Sequence, residues 1–94
     1  MMLSVIPTKI SDENKEKEML RAGIIAELDA INLYEQMADN TEDEQFKKIV
    51  LDITKEEKTH VGEFLDLLLN EDREQDEEIK KARVEVKEKL KRVI

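Results

Sequence analysis

Two apolar seams, each interrupted near its middle by ionisable residues, constrain this chain more than any other feature. One runs Phe46, Val50, Ile53, Glu57, His60, Phe64, Leu67, in steps of 4, 3, 4, 3, 4, 3. The other runs Leu20, Ile24, Glu27, Ile31, Tyr34, Ala38, in steps of 4, 3, 4, 3, 4. This is the spacing of helices that pack along one stripe. Glu57 and His60 stand three apart, so a helix places both side chains on one face, one turn apart. His60 is the single histidine of the chain. An acid and an imidazole inside an apolar seam are costly unless something satisfies them, and a metal ion does so.

The 94 residues make one small domain. A chain this short buries a limited core, so oligomerisation is expected. Pro7, Gly23 and Gly62 are the only proline and glycines. Nothing reads as a linker, and β-branched residues do not alternate with polar ones, which argues for an all-α fold. The formal net charge is −8. No basic stripe precedes the last few residues, so nucleic acid is not an expected partner, whereas an acidic surface attracts cations. The absence of cysteine excludes disulfides, iron–sulfur clusters and thiolate zinc sites. Abundant Glu and Lys without cysteine also points towards a thermophile. No apolar run is long enough to span a bilayer, and Met1–Ile6 is too short and uncharged for a signal peptide. A soluble cytoplasmic protein is the expectation.

Along the chain, residues 1–10 read as an N-terminal arm. Ser11 is the expected N-cap of a first helix over 11–40, with Asp12 and Glu13 in its first turn. Asn40 suits the end of that helix. Thr41-Glu42-Asp43-Glu44 reads as a capping box opening a second helix over 41–70. The short connection makes the two helices an antiparallel hairpin. Asn70–Asp72 breaks the second helix, with Asp72 a candidate cap for a third over 72–94. The thin stripe of that helix, Ile79, Ala82, Val86, Leu90 and Val93, fits either a solvated helix docked by one edge or packing between subunits.

Counted from a turn near Asn40, Glu27 lies about thirteen residues before it, Glu57 about seventeen after and His60 about twenty. At a rise of about 1.5 Å per residue, the levels differ by about 5 to 10 Å, which a tilt can close. Oxygen and imidazole donors without sulfur suit Fe, Mn or Zn. Ferritin-like di-iron bundles take a Glu from each of two helices and a Glu-x-x-His from each of the other two. One hairpin supplies one of each, and two copies about a two-fold axis supply the full set. The metal would then sit on an isologous interface. The competing reading is a Glu57–His60 hydrogen-bonded pair at a helix edge, with Glu27 facing solvent. Tyr34, seven residues past Glu27 on the same face, fits a donor to a ligand carboxylate or an ordinary seam aromatic. Asp29 points to another face and reads as a solvated carboxylate, and Glu63 has no assigned role.

The segments Ile25-Ala26-Glu27-Leu28-Asp29-Ala30-Ile31-Asn32-Leu33-Tyr34 and Glu56-Glu57-Lys58-Thr59-His60 resemble the encapsulated ferritin family over about Leu20–Leu69. They also look like the ferritin-like segment fused ahead of the shell protein in some archaeal encapsulins. The resemblance implies two hairpins paired into a four-helix bundle, with a di-iron ferroxidase centre between protomers. It implies a ring of five such dimers, carried inside an encapsulin shell within the cytoplasm. Iron(II) is oxidised there with dioxygen and mineralised in the shell. By the same resemblance Glu27, Glu57 and His60 are the iron ligands, Glu57 bridges, and Tyr34 matches a tyrosine near the centre. Acids flanking the first ligand form a metal entry site in the family. Here Ala26 stands where one acid is expected, and Asp29 keeps the second. Leu33 replaces a frequent tryptophan. A shell-targeting tail is not obvious, so either Leu90–Ile94 targets or the natural chain continues.

The leading expectation is therefore a ferroxidase. Its rivals are a rubrerythrin-like di-iron peroxide reductase, a family that usually adds a cysteine-ligated iron, and a non-enzymatic assembly module whose polar seam residues set register.

Overall fold

The computed structural model describes residues 12–93, and these form three helices and no strand: α1 (Lys15–Asp39), α2 (Glu44–Glu71) and α3 (Arg73–Val93). The expected arm over 1–10 and the Ser11 cap lie outside the described residues. Residues 12–14 form a turn, and Asn14 stands at the N-cap position of α1 without a side-chain capping bond. Its carbonyl accepts the Glu18 N–H at 2.9 Å. The first turn carries Glu16 and Glu18, which complement the helix dipole.

Asn40 ends α1 by folding its side chain back. Its Nδ2 donates to Gln36 O at 2.7 Å, and its backbone N–H reaches Gln36 O and Met37 O. The start of α2 differs from a Thr41 capping box. Asp43 is the N-cap, and its Oδ1 accepts from the backbone of Gln45 at 3.0 Å and Phe46 at 3.2 Å. Thr41 instead accepts the Asp43 N–H at 3.1 Å, which braces the capping residue. A carboxylate is the better partner for two helix-end donors, since it carries charge against the dipole.

Asp72 acts at two helices at once. Its N–H donates to Leu68 O at 2.8 Å, closing α2, and its Oδ1 accepts from Gln75 N at 3.0 Å, opening α3. Its other oxygen, Oδ2, accepts from Nη2 of Arg21 on α1 at 2.9 Å. The Gln75 N–H, ahead of the nearby Lys17 and Arg21 charges, holds the Asp72 carboxyl below its ordinary value of 3.8.

The core lies between α1 and α2. Ile31 and Ala38 are buried from α1, and Val50, Thr54 and Leu68 from α2. Thr54 is satisfied within its own helix, its hydroxyl donating to Val50 O at 2.8 Å. The α2 seam is corrected here. Phe46, Ile53 and Leu67 are 43%, 38% and 53% exposed, while Thr54 and Leu68 lie inward. One neighbouring helix covers only a narrow stripe, and the apolar surface of α2 is wider than that. Met19, Ile25, Leu28 and Leu33 of α1 are likewise exposed, to either side of its inward stripe. α3 packs lightly on α2, and its Val84, Val86 and Leu90 are exposed.

Candidate metal centre

The hairpin brings Glu27, Glu57 and His60 together. Each offers one ligand atom, and these atoms all lie within 4.8 Å of one another. His60 Nδ1 is 3.5 Å from Glu27 Oε1 and 3.5 Å from Glu57 Oε2. The Glu57–His60 proximity is local, the consequence of an i,i+3 step on α2. The Glu27 contact is tertiary. Glu27 stands 12 residues before the end of α1 at Asp39, and Glu57 stands 13 after the start of α2 at Glu44. The two are therefore nearly level, closer than a turn centred on Asn40 suggests. Residues 40–43 belong to neither helix, so a count from Asn40 overstates the difference in level.

Both carboxylates are partly buried, as Asp72 and Asp76 also are, and what sets them apart is their convergence on one imidazole. The Glu27 and Glu57 side chains are 19% and 20% exposed, against 44% for His60. Glu27 Oε2 is buried and finds no hydrogen-bond partner among the described residues. A buried oxygen of a carboxylate without a donor is costly. The 3.5 Å separations exceed a good hydrogen bond but are shorter than twice a metal–ligand bond of about 2.1 Å. Two oxygens and a nitrogen so placed can share one divalent cation, and the donor types suit iron, manganese or zinc.

The other expected residues sit apart from this group. Asp29, half-buried on α1, does not belong to it. Tyr34 is half-buried two turns beyond Glu27, about 10 Å along the helix axis. Two residues gain a place that the seams did not reveal. Glu63 lines the same open cleft, of about 410 Å³, as Glu27 and His60. The sequence signal was present, because Glu63 repeats the three-residue step from Glu57 to His60. Gly23 lies under the Phe64 ring, which also lines that cleft.

The chain matches the family model described as EncFtn-like over residues 3–91. It is 59% identical over 92 residues to a ferritin-like-encapsulin shell fusion protein of Pyrococcus furiosus, covering 93% of this chain and 27% of that protein. It is 38% identical over 79 residues to the encapsulin nanocompartment cargo protein EncC of Myxococcus xanthus, covering 84% of this chain and 60% of that protein. The chain thus spans about a quarter of the first relative's length and three-fifths of the second's. The crystal structure of the encapsulated ferritin domain from Pyrococcus furiosus superposes with a TM-score of 0.81 at 56% identity, covering 92% of this chain and 93% of that one. With nearly its whole length matched by the family model, and with the encapsulated ferritin fold, the chain belongs to the EncFtn-like family.

Proposed function

We propose that this chain is a ferroxidase, oxidising iron(II) to iron(III) with dioxygen at a di-iron centre shared between two protomers. The observation that carries the proposal is the convergence of Glu27, Glu57 and His60 on one point, with Glu27 Oε2 buried and unpartnered. One chain offers two carboxylates and one imidazole, too few for two ions. A second copy completes four carboxylates and two imidazoles, the donor set of ferritin-like bundles. Four carboxylates also balance the charge of two divalent cations. The exposed apolar residues of α1 and α2, including Ile25, Leu28, Ile53 and Leu67, supply the surface for that second copy.

Each residue has a separate task. Glu27 and Glu57 would bind iron from opposite helices, and their partial burial strengthens the attraction of both carboxylates for a cation. His60 adds a neutral donor, which limits the negative charge of the site. Bound iron(II) supplies the electrons for dioxygen reduction. Tyr34 is assigned to the surroundings of the centre, and Asp29 to the approach of incoming iron.

The relatives named for encapsulin shells extend the proposal to setting. The dimers assemble further, as a ring of five, and deliver iron(III) inside an encapsulin compartment in the cytoplasm. Among the described residues no helix is long and apolar enough to cross a membrane.

The test is iron(II) oxidation followed by ferric absorbance under air. His60→Ala and Glu57→Ala should abolish the fast phase while circular dichroism retains the helices. Full activity in either variant refutes the assignment. Faster turnover with hydrogen peroxide than with dioxygen would transfer the site to peroxide reduction.

A further inference from the structure

Gly23 and Phe64 occupy the hairpin layer next to Glu27 and His60. Gly23 precedes Glu27 by four residues on α1, and Phe64 follows His60 by four on α2. In an antiparallel pair both steps lead the same way, one turn along the hairpin. A Cβ built on Gly23 would stand 3.4 Å from Cε2 and Cζ of Phe64 and 3.5 Å from Cδ2. The gap accepts one methyl at ordinary van der Waals distance, and atoms beyond it on the same side meet the ring. The same ring lines the cleft shared with Glu27 and His60 and a groove shared with Met19 and Leu20.

The two ligands on α2 are fixed to each other by helix geometry. Only Glu27 depends on how far α1 stands from α2. Interaxial distance follows the side chains at the contact, and close-packed layers pass displacement to their neighbours. We propose that Gly23 and Phe64 are a positioning pair that sets the helix separation at the ligand layer and so holds Glu27 within reach of the ion bound by Glu57 and His60. This rests on the metal-binding reading above. Bulk at position 23 should therefore remove one ligand, Glu27, and leave the α2 pair in place.

Cobalt(II) titration of the whole chain, read by affinity and visible absorption, tests this with circular dichroism as the check on folding. Gly23→Ala should bind as the wild type does, since a methyl fits. Gly23→Leu should weaken cobalt(II) binding about tenfold, the scale of a displaced supporting contact, with an absorption spectrum like that of Glu27→Gln. Gly23→Leu combined with Phe64→Ala should restore both affinity and spectrum, which a merely destabilised helix would not do. Gly23→Val reads the same displacement if Gly23→Leu does not fold. Unchanged affinity and spectrum in the folded bulky variant, or a folded double variant without recovery, overturns the positioning pair alone. Wild-type protein that binds cobalt(II) no better than His60→Ala overturns the metal reading and the pair with it.

Discussion

His60 on α2 and Glu27 on α1 meet with Nδ1 and Oε1 3.5 Å apart, a contact across the hairpin that brings a second carboxylate to the imidazole already beside Glu57. The cost of that arrangement falls on the metal-free chain. Glu27 keeps one oxygen buried without a donor, close to a second half-buried carboxylate. Replacing it with an uncharged side chain of similar size removes the repulsion between carboxylates and lowers the desolvation cost of the buried position.

Glu27→Gln should therefore stabilise the metal-free protein by about 1 kcal/mol while lowering iron(II) oxidation severely. Thermal melts in chelator and oxidation assays on the same sample read the two effects. Loss of stability in chelator would show that Glu27 is satisfied without a cation.

A divalent cation at this site should stabilise the folded chain by mass action. A hundredfold excess over Kd corresponds to about 2.7 kcal/mol. If the centre is the proposed di-iron site completed by a second copy, the rise in Tm should come with a shift towards dimer in sedimentation velocity, and chelator should reverse both. Binding with no change in mass would place the ion within a single hairpin.

The start of α2 depends on Asp43 rather than Thr41, since Asp43 Oδ1 takes two helix-end donors. Asp43→Ala should cost about 1 kcal/mol, and Thr41→Ala less. Denaturant melts of the two variants rank them, and the reverse order would restore Thr41 as the cap.

Asp72 gives the fold an acid-sensitive joint. Its carboxyl is held below 3.8 in the folded state, first by the Gln75 N–H and then by Lys17 and Arg21. A lowered folded value means that the unfolded chain takes up the proton more readily, so the contribution is complete above 3.8 and fades as pH falls through the folded value. Asp72→Asn should melt below the wild type at pH 7, and the difference should shrink as pH falls below 3.8 and through the folded value. A difference independent of pH would assign the effect to the cap geometry instead of the charge.

Much of the architecture was legible because it is local. Asn40 ended α1 and Asp72 opened α3 through their own side chains, and Glu57 and His60 were paired by a step of three residues. Sequence and structure part where neighbours have similar chemistry. Thr41 and Asp43 both suit an N-cap, and only the path of the connection decides which one faces the free N–H groups. The stripe through Ile53 and Leu67 followed the helical period, yet Thr54 and Leu68 turned inward.

The sequence by itself determined three helices, a hairpin and an acid–imidazole pair on one face, because helix period and capping act within a few residues. Only the tertiary structure decided that Glu27 stands level with that pair, that its Oε2 has no partner, and that Gly23 lets the Phe64 ring rest against α1. Those outcomes depend on the register and separation of two helices, which the connection over residues 40–43 and the bulk of facing side chains set between them.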